Sequence, residues 1–141
     1  MPNGSHTFRA ARRDPELAVL EGFHALKHAV RFGAEVERVL TTDAAALAEL
    51  AGELAPDVRD RIAAMAETVD AARLAELAPR PPETGVVAIA RRSRVTAERI
   101  LADTSAPVVL LENPRNLANL GACVRVAAAA EAAHRGPNRL V

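Results

Sequence analysis

Asn116, Asn119, Gly121 and Arg125 fall within ten consecutive residues, just after Asn113-Pro114-Arg115. These are types that handle anionic oxygen. An arginine guanidinium pairs with phosphate through a planar fork and favours an oxygen that is gaining negative charge. An asparagine amide can hold a phosphate or orient a hydroxyl. A glycine near a helix start lets the backbone approach closely, and the helix N-terminus itself attracts phosphate. The residues alone also permit a plainer reading, with Asn119 as a helix cap and Arg125 as an exposed helical side chain. Asn116 is a rival to Asn119 for such a role.

These residues need a strand and a helix to place them. Pro107-Val108-Val109-Leu110-Leu111 is apolar on both faces and reads as a buried strand, and an alanine-rich helix follows from roughly Asn119 to Ala133. A strand of that composition expects parallel neighbours with helices above and below. The remaining residues, His134 to Val141, do not read as another strand, so residues 107–141 are expected to leave a layered core incomplete. Cys123, among apolar neighbours, reads as a small buried hydrophobe.

Upstream, residues 1–14 read as a polar, slightly basic tail. Asp14-Pro15 suits a helix opening, and Val19, Phe23, Leu26 and Val30 recur at spacings of 4, 3 and 4 as one apolar stripe ending at Gly33. Val36 to Thr41 reads as a strand. Thr42 or Asp43 then caps a helix with Leu47, Leu50, Ala51 and Leu54 inward, ended by Pro56. A weaker strand is expected around Ile62–Glu67, then a helix from Asp70 to Leu77 stopped by Pro79, Pro81 and Pro82. Gly85 to Ala90 reads as a buried strand. Alternating helix and strand over residues 15–91 predicts a layered α/β/α domain. Residues 92–106 read as a charged linker, with or without a short helix, in which Arg92, Arg94 and Arg99, with Arg91 beside them, are either solvated or turned to phosphates.

Composition narrows the function classes. The chain has 141 residues, with 18 basic and 18 acidic, so no global field draws it to nucleic acid and any such contact must be a local patch. Three Phe, no Trp and no Tyr leave few platforms on which single-stranded bases could stack. One cysteine excludes an intrachain disulfide framework and a cysteine-based zinc site. No apolar run is long enough to span a bilayer and no signal-like core opens the chain, which points to a cytoplasmic protein. Glu21, His24 and His28, if all helical, share one face. They read as a solvated or RNA-facing stripe rather than a metal site, and no metal is assigned.

Two stretches resemble a known family. Glu21-Gly22-Phe23-His24-Ala25-Leu26-Lys27-His28-Ala29 and Glu83-Thr84-Gly85-Val86-Val87-Ala88-Ile89-Ala90 resemble the opening helix and final strand of the substrate-binding domain of SpoU-type (TrmH-type) RNA 2′-O-ribose methyltransferases, of the SPOUT class. Asn119-x-Gly121-x-x-x-Arg125, after an apolar strand and Asn113-Pro114, resembles the first of that family's three catalytic-domain motifs. The resemblance implies an α/β fold: an L30e-like three-layer substrate-binding domain at 15–91, a linker at 92–106, and the start of a trefoil-knot methyltransferase domain from 107. It implies Asn119 and Arg125 as catalytic residues beside the ribose. It implies RNA contacts from Glu21, His24, Lys27, His28, Arg115, Asn116 and Gly121, with rRNA or tRNA as partner and neither DNA nor membrane. The family binds S-adenosylmethionine and dimerises through later motifs that the chain does not contain. The expectation is therefore no cofactor binding or methyl transfer by this chain alone, or else a non-catalytic RNA-binding module or a gene remnant. The match departs locally: Asn113 stands where the family often has Asp, and extra residues separate Pro114 from Asn119.

Overall fold

Val86–Arg91 (β4) is buried at every position but the last, so helices must cover both of its faces and strands must flank it. The computed structural model, which describes residues 4–78, 80–102, 104, 105 and 107–130, satisfies both demands. A four-stranded sheet runs in the order β1-β4-β2-β3, with β1 Leu17–Glu21, β2 Val36–Thr41 and β3 Ala66–Thr68. β4 pairs antiparallel with both β1 and β2, while β2 and β3 are parallel. On one face, α2 (Phe23–Arg31), α3 (Ala44–Leu54) and α4 (Arg59–Met65) bury Phe23, Leu26, Val30, Leu47, Ala51 and Ile62 against Val39, Val86 and Ala88. On the other, α1 (Gly4–Ala11) and α5 (Ala71–Leu77) bury Phe8, Ala11, Leu74 and Leu77 against Leu40, Val87 and Ile89. The protein is thus a mixed α/β fold whose first unit, residues 1–92, has two helical layers about one sheet.

Several expectations are corrected. The N-terminal stretch contains α1 rather than being only a polar tail. Phe8 and Ala11, three residues apart, put an apolar pair on one helix side and close the second core. The single helix expected from Asp14 is instead a strand followed by a helix. The Asp14 carboxylate accepts the Glu16 N–H at 2.8 Å in a local turn, and pairing with β4 claims Leu17–Glu21. There the side chains serve both cores, Leu17 and Val19 on one and Leu20 on the other. Gly22, at φ 90°, turns the chain from strand to helix in a conformation that costs other residues dearly. Asp43 is the cap of α3, accepting the Ala46 N–H at 3.0 Å, but Leu54 points outward at 54% exposure. Ile62 is helical, and only residues 66–68 form the weak strand. Asp70 caps α5 as expected, and Gly33 ends α2 with φ 76°. Pro79 lies outside the described residues.

The second unit covers residues 93–141. It contains α6 (Ala97–Leu101), within the stretch read as a linker, and α7 (Leu117–Ala129). Val108–Leu111 is not a strand: it has no ladder partner among the described residues, and Leu110 is 89% exposed. An apolar segment becomes a buried strand only where neighbours supply both hydrogen bonds and cover. The end expected for α7 near Ala133 falls outside the described residues.

The role of α1 is checked by Phe8→Ala. Removing this buried ring should cost about 3–5 kcal/mol, seen as a lower denaturation midpoint. An unchanged midpoint would return residues 1–13 to the status of a tail.

Candidate nucleic-acid interface

α2 is divided lengthwise by its own periodicity. Phe23, Leu26 and Val30 lock one side into the core, and His24, Lys27, His28 and Arg31 occupy the remainder. The helix entry is fixed by the start of β4 and the loop before it: the Gly22 N–H donates to the Val86 carbonyl at 2.9 Å, and the Phe23 N–H to the Thr84 hydroxyl at 3.0 Å. The outward face is therefore as well placed as the sheet beneath it.

The outward groups touch one another. The His24 and His28 rings meet edge to face with centroids 4.6 Å apart, and His28 stacks on Phe32 at 5.8 Å. Lys27 holds its Nζ 5.8 Å from the Phe23 ring centroid, a cation–π contact. Arg31 is engaged: its Nε and one terminal nitrogen grip both oxygens of Asp57 at 2.7 Å each. Hydrogen bonding in that fork lowers the Asp57 carboxyl pKa and raises that of Arg31. Arg61, from α4, donates to the Val30 carbonyl at 3.0 Å near the end of α2. His28 has its pKa lowered, first by burial and then by the positive neighbours His24, Lys27 and Arg31. Its Nδ1 is buried without a hydrogen-bond partner, so a second proton there would find no acceptor.

Glu21 does not join this face. It ends β1, before the Gly22 turn, and binds Arg12 at 2.6 Å, while Arg12 also donates to the Leu77 carbonyl at 2.8 Å. The helix face expected to carry Glu21, His24 and His28 together thus carries only the two histidines. Among the described residues no three His, Cys, Asp or Glu gather as a metal site would need. Among the arginines near residue 92, Arg91 pairs with Glu37 at 2.5 Å and Glu35 at 3.4 Å, and the Arg92 Nε donates to the Leu17 carbonyl at 2.8 Å. Sequence reasoning singles out neither Arg31 nor Arg61. Arg31 is within its reach, standing four residues after Lys27 on the same helix, whereas Arg61 meets α2 only through tertiary packing.

In the second unit, Asn116 is the cap of α7. Its Oδ1 accepts the N–H groups of Ala118 at 2.9 Å and Asn119 at 3.1 Å. Asn119 lies in the first turn and Arg125 six residues on, which places the two about 120° apart around the helix and about 9 Å along it. Arg125 leans back, bringing one guanidinium nitrogen to 3.6 Å from where a Gly121 Cβ would stand. Asn119, Arg125 and Arg115 are exposed, and so is Cys123, contrary to the reading of it as a buried residue. Gly121 and Arg125 are brought together, and Asn116 meets Asn119 through its backbone.

No protein-family model matches the chain, and no curated protein matches it. Among the described residues no helix is long and apolar enough to cross a membrane.

The His28 environment has a consequence for stability. The folded chain holds His28 below its unfolded value near 6.5, so the unfolded chain binds more protons between the two values and stability falls as pH drops through that window. Thermal unfolding should therefore show a midpoint falling between about pH 7.5 and about pH 5.5, with a shallower fall in His28→Gln. Equal slopes for the two proteins would mean that His28 is as easily protonated folded as unfolded.

Proposed function

We propose that the chain is an RNA-binding protein of the SpoU (TrmH) ribose-methyltransferase type, in which the L30e-like first unit captures structured rRNA or tRNA through α2. The reading rests on one observation above the others: His24, Lys27 and His28 form an outward face on a helix whose opposite side is fixed in the core. A single lysine and two imidazoles, with no aromatic platform beyond Phe32, suit phosphate and sugar contacts to folded RNA rather than stacking of unpaired bases.

Residues 107–130 supply the first catalytic motif in this reading. A ribose lying across the opening turn of α7 would meet the Asn119 amide on one side. Arg125, leaning toward Gly121, would face the 2′-oxygen and stabilise charge developing there. Asn116 acts by capping the helix that carries both. S-adenosylmethionine, the family's methyl donor, needs an enclosed cleft. Among the described residues from 93 onward none is buried, and they do not fit that cofactor. The chain's own contribution is RNA capture, and this favours a binding role over methyl transfer by the chain alone.

Mobility shifts with a short structured RNA at several salt concentrations test the reading. Binding should weaken as salt rises, and Lys27→Ala should lower the log–log slope by about one, the share of a single phosphate neutralised by the lysine. Absence of a shifted band at low salt would refute RNA capture. With radiolabelled S-adenosylmethionine added, the RNA should be bound but not labelled. Label in the RNA would refute the assignment of a binding role alone.

A further inference from the structure

The two histidines on α2 cannot both carry charge cheaply in the free protein. Their rings lie 4.6 Å apart, and Lys27 and Arg31 stand on the same helix, one on each side of His28 in sequence. The other elements around α2 do little to offset this. Asp57, before α4, has both oxygens committed to Arg31, and Arg61 on α4 adds another positive group at the Val30 carbonyl. β1 and β4 meet α2 through the apolar side chains of Leu20, Val86 and Ala88. Glu21, the nearest strand-end carboxylate in sequence, is tied to Arg12. A proton on His28 is thus resisted by burial, by the like charges of His24, Lys27 and Arg31, and by the sealed Nδ1.

An RNA backbone laid along this face changes that balance, since each phosphate adds negative charge where the nearby carboxylate, Asp57, is already committed to Arg31. We propose that the His24–His28 pair couples RNA capture to proton uptake, so that docking of the phosphate backbone protonates the pair. This rests on α2 being the RNA-facing helix, and it adds the regulation of that face by pH. Burial resists a proton on His28, while His24 is exposed on the first turn of the helix. By linkage, each proton taken up strengthens binding by up to about tenfold per pH unit across its titration range.

Calorimetry of the unaltered chain with a short double-stranded RNA, in two buffers of different ionisation enthalpy near neutral pH, counts the protons directly. Net uptake is expected, together with an affinity about three- to tenfold higher at pH 6 than at pH 8. The His24→Gln, His28→Gln double variant should still bind at pH 8 but lose most of the pH dependence, although His6 and His134 remain to titrate. Lys27→Ala should bind more weakly at both values and keep the dependence. RNA binding with no proton uptake and equal affinity at both pH values overturns the coupling while leaving RNA capture standing. So does a double variant that, folded by circular dichroism, keeps the full pH dependence. No RNA binding at either pH overturns the RNA-facing reading of α2, and the coupling with it.

Discussion

β4 governs the first unit. A strand buried on both faces cannot be left at an edge or covered by one layer, because its apolar side chains and its backbone groups would then meet water. Everything else in residues 4–92 answers that demand. β1 and β2 take its two hydrogen-bonding edges, α2 to α4 cover one face, and α1 with α5 cover the other. Burying the side chains of Val86, Val87 and Ile89 contributes roughly 1.5–3 kcal/mol each, set against the conformational entropy of ordering the strands and helices around them.

The same constraint fixes what α2 shows to solvent. Once Phe23, Leu26 and Val30 are committed inward, helical geometry sends His24, Lys27, His28 and Arg31 the other way. Phosphate-binding groups gain from such rigidity, since less side-chain and backbone freedom is given up on docking. The face is not uniformly basic. Asp57 neutralises Arg31 locally, and two of the outward groups are the touching imidazoles of His24 and His28. Its positive charge therefore depends on pH near neutrality, where an Arg- or Lys-rich stripe would not.

Legibility differed from element to element, for physical reasons. β2, β4 and the caps Asp43 and Asp70 were readable, because a doubly apolar run and an N-cap acceptor act within a few residues. β1 was misread as helix because Val19 happens to continue the stripe of α2. Only pairing with β4, some 70 residues away by the Val19–Ile89 register, decides otherwise. α1 was missed because just two of its positions, Phe8 and Ala11, carry its packing, inside an otherwise polar stretch. In the candidate site helical spacing put His24 and His28 on one face and the family resemblance added Lys27, whereas the withdrawal of Glu21 into an ion pair with Arg12 depends on the Gly22 turn. For α7, motif spacing pointed to Asn119 and Arg125, but the capping role of Asn116 and the lean of Arg125 over Gly121 are set by three-dimensional geometry. The apolar run 108–111 shows the limit of composition: it states what a strand needs and not whether a partner is there.

The central claim is that α2 is the surface that meets RNA. The most direct measurement is amide and imidazole chemical-shift mapping by NMR as a short double-stranded RNA is titrated into the isotopically labelled chain. The account expects the largest changes at His24, Lys27 and His28, with Val87 and Leu74 on the opposite side of the sheet undisturbed. Changes centred elsewhere, or none at saturating RNA, would contradict it.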